Sequence, residues 1–445
     1  MRPVKLTVYF LTIALGIIMV VTLSSQGAGQ TPRTAAVLFE GARLITGDGT
    51  APIENSAFIV ENSRFTRVGR RGEVQAPAGA VRVDLSGKTV IPGMIDLHTH
   101  PGYGSNAPDS YTRETLVEHL QRYAYYGFAV IVSLGQDQGD LAFQIRANPI
   151  PGAALYRTAG LGVAVPGGGP PGVRATIPYG VTNEAQARKA VQELSTKKVD
   201  FVKIWVDDRM GTQPKMPPQL YRPIIEEAHK QNLRVMAHIY DLADAKELLR
   251  SGIDGFAHGV RDRDIDEEFM QLMKERPNVF VIPNLPDRGV AEELTWLSGT
   301  VRPDEITRLT AAQANRKPDA VQQTRELYGI QARNLMKLSA AGVKIGFGED
   351  GTGSGWTAQT ELADMVAAGL TPSQVITAAT RTSAEIMRLN QLGTIATGKS
   401  ADFVVLDANP LDDITNTRRI ARVYLRGQEE DRAGLRAAWT GRGSQ

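Results

Sequence analysis

Hydrophobic and polar positions change their rhythm twice along the chain. From about residue 35 to 90, short β-like runs at 36–39, 57–60 and 81–83 are punctuated by Gly47-Asp48-Gly49 and Ser86-Gly87 turns. Beyond residue 393 the same style returns, with strand-like runs at 402–406 and 420–425. Between these ends, short β-branched runs alternate with helical segments. Runs at 130–132, 201–205, 235–237, 279–282 and 343–347 read as buried strands. Leu242, Ala245, Leu248 and Leu249 recur at helical spacing, and Gly252 closes that helix. Repeated strand–helix units imply a parallel sheet, and the expected fold class is α/β. The economical form is a (β/α)8 TIM-like barrel over 93–392. Two terminal β segments, 35–92 and 393–427, bury their apolar faces only by meeting, which predicts one small β-sandwich built from both chain ends. Residues 428–445 read as a tail.

The first 29 residues stand apart. Arg2 and Lys5 precede an uncharged stretch from 6 to 23, followed by Ser24, Ser25, Gly27, Ala28 and Gly29. This order reads as a secretory signal peptide, with an uncleaved N-terminal membrane anchor as the alternative. Either reading places the catalytic body outside the cytoplasm, periplasmic or secreted. Arg2 and Lys5 are the only charges in that segment. Of 50 basic and 48 acidic residues, 48 of each sign remain without it. A neutral body with no basic run argues against nucleic acid as a partner. Contact with a membrane would come only through an uncleaved N-terminus, and a homo-oligomer is compatible with the sequence. The 445 residues contain no Cys, so any metal must be held by His and carboxylates.

The chain has six histidines, His98, His100, His119, His229, His238 and His258, and four of them stand at the ends of strand-like runs. Met94-Ile-Asp-Leu-His98-Thr-His100 puts two imidazoles on one face of an extended strand. Val235-Met-Ala-His238 and Gly255-Phe-Ala-His258 end two later strands, and Gly346-Phe-Gly-Glu349-Asp350 adds a carboxylate after the last. Residues at the C-terminal ends of barrel strands converge on one mouth, and imidazole with carboxylate suits Zn²⁺, Mn²⁺ or Fe²⁺. His119 lies in the helical stretch 111–126, where a solvated face is expected. His229 has the same helical context and is left out of the site. Lys203, inside an apolar strand, is costly as a buried cation. It is expected either to pair with Asp207 or Asp208, or to carry CO₂ as an anionic carbamate.

Val90-Ile-Pro-Gly-Met-Ile-Asp-Leu-His98-Thr-His100 strongly resembles the first-strand motif of the amidohydrolase superfamily. Gly398-Lys-Ser-Ala-Asp402-Phe-Val-Val-Leu-Asp-Ala-Asn-Pro410 resembles its return strand into the sandwich. The order His-x-His, Lys, His, His, Asp from 98 to 350 is similar to the binuclear members. The group most alike is the imidazolonepropionase-related one, which includes Xaa-Pro dipeptidases and metallo-carboxypeptidases. The resemblance implies two divalent ions, most simply zinc, acting on a small-molecule or peptide substrate. His98, His100 and Asp350 would hold the buried ion, His238 and His258 the second, and a carboxylated Lys203 would bridge them. Hydroxide held by the metals would attack a carbonyl of an amide or cyclic amide, with Asp350 as general acid/base. The resemblance makes Tyr240 a substrate contact. Glu349 stands where relatives usually have Thr, beside Asp350, and is placed to meet a cationic substrate group. The loop 160–172 lacks the His that related peptidases often carry, while Asn284 and Arg288 are candidates for the pocket. A non-catalytic binding protein of the same fold is the contrasting reading. Such proteins typically lose metal ligands, and this chain keeps each position.

Overall fold

The computed structural model describes residues 36–441, so the N-terminal segment read as signal or anchor lies outside the described residues. Among the described residues, no helix is long and apolar enough to cross a membrane.

The central body is built on eight parallel strands, with two further short strands between the third and the fourth. The first three, Met94–Thr99, Phe128–Ser133 and Leu155–Thr158, form a parallel sheet. The next five are Val202–Trp205, Val235–His238, Gly255–Phe256, Phe280–Val281 and Lys344–Ile345. They lie in sequence order in a second parallel sheet, which also contains Val163–Ala164 and Tyr179–Gly180. Hydrogen bonds run between the two sheets. Leu97 N donates to Phe347 O at 2.9 Å, and Asp350 N to His98 O at 2.7 Å, beside the eighth strand. Asp200 N donates to Thr158 O at 2.9 Å where the chain enters the fourth.

Local sequence explains these elements. Phe128–Ser133 is buried at every position, as a strand covered on both faces requires. The helix Leu242–Ser251 buries Leu242, Ala245, Leu248 and Leu249 and stops at Gly252, whose φ of +98° suits glycine. The helix Arg113–Tyr125 is capped by Thr112, whose hydroxyl accepts from Thr115 N.

The chain ends meet as the pattern predicts. Val37–Glu40, Ser56–Glu61, Arg64–Arg70 and Val81–Asp84 make one sheet. Thr89–Pro92 pairs antiparallel with Phe403–Leu406, which pairs with Ile420–Leu425 in another. Phe39, Phe58 and Phe65 from the N-terminal part pack with Phe403 and Tyr424 from the C-terminal part. Phe403 stacks on Tyr424 with ring centroids 4.4 Å apart and meets Phe39 and Phe58 edge-on. The segment read as a tail carries the strand Gln428–Glu429 and the helix Arg432–Thr440, whose Trp439 packs on Tyr125. Since Phe403 is fully buried, Phe403→Ala should cost about 3–5 kcal/mol. This is measured as a lower urea midpoint, and an unchanged midpoint would refute the view that this ring joins the two chain ends.

Candidate active site

The first strand presents His98 and His100 to one side, and the residues after the eighth strand return to meet them. Gly348 permits the approach: a Cβ there would lie 2.7 Å from the Cβ of His98. Asp350 then takes a left-handed backbone, φ +59°. Its Oδ1 lies 3.1 Å from His98 Nε2 and 3.0 Å from His100 Nε2. These three residues form a group whose ligand atoms lie within 4.8 Å of one another and could hold a metal ion.

The hydrogen bonds around the group decide how its atoms face each other. Burial lowers the pKa of His98 to about 4, against the pull of Asp350, so its ring is neutral near pH 7. Its Nδ1 lies 2.9 Å from the carbonyl of Ala257, a contact that requires the proton on Nδ1. The Nε2 lone pair therefore points at Asp350 Oδ1, which is also an acceptor. Two lone pairs at 3.1 Å call for a cation between them. Burial raises the Asp350 carboxyl, and it falls well below the usual carboxylate range only where positive charge or donors stand at the His98 and His100 positions, so with His98 neutral a bound cation has to supply that charge.

His238 and His258 meet at the next strand ends. His258 Nε2 lies 2.7 Å from His238 Nδ1. His238 Nε2 lies 3.2 Å from Asp207 Oδ2, and Arg261 Nη2 donates to His258 Nδ1 at 2.9 Å. His258 Nε2 is 4.0 Å from Asp350 Oδ2, so the two histidine pairs share one carboxylate.

Lys203 is fully buried, and its Nζ has no hydrogen-bond partner. The expected ion pair is absent: Asp207 is bound to His238, and Asp208 approaches Lys215 at 3.8 Å. The reason is direction. Lys203 lies within the strand, whereas both aspartates follow its end and turn away. Burial, against the pull of Asp350, lowers the Lys203 amine to about 7.

The remaining candidates divide. Tyr240 stands half-buried just past the fifth strand, and its carbonyl accepts from Arg261 N at 2.9 Å. Asn284, left-handed at φ +40°, accepts from Arg261 Nη2 at Oδ1 and donates from Nδ2 to Glu349 O at 2.8 Å. Tyr123 donates to Glu349 Oε1 at 2.5 Å, and burial pushes the Glu349 carboxyl up to about 7. Arg288 joins Asp364 at 2.5 Å instead of the histidine group. Arg288, Asp364 and Glu349 share the wall of a cavity of about 350 Å³.

His119 corrects an expectation of solvent exposure. Its Nδ1 accepts from Gly102 N at 3.1 Å, and burial lowers its pKa to about 4. The ring fills the space left by Gly353, where a Cβ would overlap it. Leu116, Leu120 and Tyr123 flank it at helical spacing on the buried face, a signal present in the sequence. His229 is exposed and lies 2.8 Å from Asp254, apart from the site as expected. Sequence reasoning missed Arg261, three residues after His258, and the placement of Asp207 on His238, which leaves the ion-pair alternative for Lys203 unformed with that residue.

The model of the Amidohydrolase family matches residues 89–429, most of the chain. The chain belongs to the amidohydrolase family. This amidohydrolase is 25% identical to the ochratoxinase of Aspergillus niger over 432 residues, covering 86% of this chain and 84% of that one. It is 23% identical to the imidazolonepropionase of Agrobacterium fabrum over 422 residues, 86% of this chain and 93% of that one. Its fold is similar to the crystal structure of a Xaa-Pro dipeptidase with bound methionine in the active site. The TM-score is 0.69 and the identity 21%, with 89% of this chain and 99% of that chain covered. These likenesses imply a TIM-like barrel plus a second domain, consistent with the parallel strands described. This amidohydrolase is a hydrolase acting on carbon–nitrogen bonds.

The fit of the His98 group to a cation has a direct check. Zinc added to chelator-treated protein should stabilise it, by about 2.7 kcal/mol at a free ion concentration one hundred times Kd. His98→Asn should remove most of that gain, read as the zinc-dependent rise in melting temperature. An equal rise in the variant would refute the assignment.

Proposed function

We propose that this amidohydrolase cleaves the C–N bond of an amide or cyclic amide at a two-ion centre in the mouth of a closed (β/α)8 barrel. The observation that carries the reading is the lone-pair geometry. His98 Nε2 faces an ionised Asp350, and that carboxylate also approaches His258. His98, His100 and Asp350 hold one divalent ion, and His238 and His258 the other. Lys203, orphaned and with its pKa lowered to about 7, is an amine that would add to CO₂ with loss of one proton, and the carbamate would serve as an anionic ligand to the ions. Zinc suits these ligands, with manganese or iron as alternatives.

Divalent ions in this site supply Lewis-acid polarisation of a carbonyl and bring the pKa of water towards 7. The protein's own part is proton transfer and orientation. Asp350 Oδ1 faces both imidazoles of the first strand across the position of the first ion. Its Oδ2 is left to accept a proton from the attacking water and return it to the leaving nitrogen. Asp207 fixes the orientation of the His238 ring. Tyr240 and Asn284 line the substrate side, and Glu349 offers a carboxylate from the cavity wall. Arg288, neutralised by Asp364, shapes that wall. The N-terminal 29 residues direct export.

Asp350→Asn tests the proton relay. Turnover of a verified amide substrate should fall roughly 10²–10⁴-fold while the melting temperature holds. Near wild-type turnover would end the assignment. Lys203→Ala tests the bridge. Metal per chain should drop, and short-chain carboxylic acids should restore part of it by standing in for the carbamate. Full occupancy in that variant would make Lys203 a structural residue.

A further inference from the structure

His119 takes no part in the proposed chemistry, yet it stands between the two loops that carry His100 and Asp350. On one side its Nδ1 accepts from Gly102 N, two residues after His100, at 3.1 Å. On the other side lies Gly353, three residues after Asp350, where an added Cβ would overlap the imidazole. Burial lowers the pKa of the ring to about 4, so Nδ1 keeps its lone pair at neutral pH and the proton sits on Nε2. Gly102 is buried, and a buried N–H needs an acceptor. A ring that only filled space would not have to supply one.

The helix that carries His119, Arg113–Tyr125, is the seat of both loops. Gly355 comes so near that a Cβ there would lie 2.9 Å from the backbone of Arg122. Tyr123, one turn on from His119, donates to Glu349 Oε1. The first-strand loop reaches the start of the same helix where Thr112 N donates to Gly102 O at 3.1 Å. Between the loops, His100 N donates to Gly351 O at 2.7 Å, and Asp350 N to His98 O at 2.7 Å. These bonds join the loops at the ligands, and the imidazole holds them apart at a fixed distance just beyond. The gap so governed is the one from Asp350 Oδ1 to the Nε2 atoms of His98 and His100, 3.1 and 3.0 Å. A metal site tolerates departures of about 0.2 Å in its ligand distances, so a small shift of either loop matters.

We propose that His119 is a positioning residue for the ion assigned to His98, His100 and Asp350. By accepting from Gly102 and seating Gly353, it fixes the His100 loop against the Asp350 loop and sets the affinity of that group for a divalent cation. The proposal rests on the metal reading above and gives one half of the centre a support outside its ligands. An apolar side chain of similar volume leaves Gly102 N without its acceptor, so volume alone does not replace the ring. His238 and His258 come from the fifth and sixth strand ends, and their ion does not depend on His119.

The test uses the full chain, treated with chelator and titrated with zinc alone against a competing chromophoric chelator. The melting temperature of the zinc-free protein is measured beside it. His98→Asn identifies the site in the titration by removing it. His119→Leu should weaken that site about 10- to 100-fold. His119→Asn, whose amide oxygen reaches the place of Nδ1, should recover most of the loss. The double variant of His119→Leu with His98→Asn should bind zinc no more weakly than His98→Asn alone, because both changes strike one site. Gly353→Ala crowds the ring from its other side, should weaken the same site, and covers the case in which His119→Leu does not fold. A His119→Leu protein that melts lower but keeps wild-type zinc affinity has lost packing only, and overturns the proposal. Equal losses in His119→Leu and His119→Asn, a further loss in the double variant, or unchanged affinity in Gly353→Ala overturn it too. A wild type that binds no zinc overturns the metal reading itself, which separates that failure from a failure of His119 alone.

Discussion

The constraint on which the site depends is the burial of Lewis bases that the protein alone leaves facing one another. His98 commits its proton to the Ala257 carbonyl, which directs Nε2 at an ionised Asp350. His100 brings a second ring nitrogen to the same oxygen. Solvent screens this little, because His98 and His100 are buried. A divalent cation held there would turn these repulsive contacts into bonds. The cost of burying imidazole and carboxylate would then be offset by the ligand, and cation binding would add to the folded state's stability.

The fold supplies that geometry through strand ends. Two histidines two apart on one strand share a side because the strand period is two. The return of the eighth strand onto the first depends on Gly348, since a side chain there would collide with His98. Asp350 N then bonds to His98 O, so the backbone bond that ties the strands also sets the carboxylate on its histidines. Loops around this frame are tied down separately. Asp137 accepts from Tyr111, Tyr156, Ser133 and Thr158, fixing the loop after the second strand beside His100.

Much of this arrangement is legible in the sequence because it follows from short-range periodicity. The strand carrying His98 and His100, the strands ending at His238 and His258, and the stop at Gly252 are local facts. So is the aromatic pairing that brings the chain ends together, once both ends alternate as half-buried strands. The rest depends on direction across space. Asp207 and Lys203 are four residues apart, yet Asp207 meets His238 while Lys203 Nζ finds no hydrogen-bond partner, because Lys203 lies inside the strand and Asp207 beyond its end. His119 looked solvated because its helix is polar on average, while the cavity that receives it is made by Gly353, far along the chain. Arg288 was near the pocket in sequence but is held by Asp364 on a helix.

Charge balance links the frame to specificity. The body of the chain is neutral, so the field at the mouth is set by which local charges find partners. Asp207 meets one imidazole and Asp350 faces two, while among the described residues Lys203 Nζ has no hydrogen-bond partner and Arg261 keeps an unpaired Nε. Conversion of Lys203 to a carbamate would remove one cation and add one anion, and two divalent ions would then more than reverse the change. A site so loaded would be net positive, with Arg209 and Arg261 beside it. Such a field would act alike on the pKa of a water molecule and on the charge of any group that enters, which would tie reactivity and selection to one electrostatic origin.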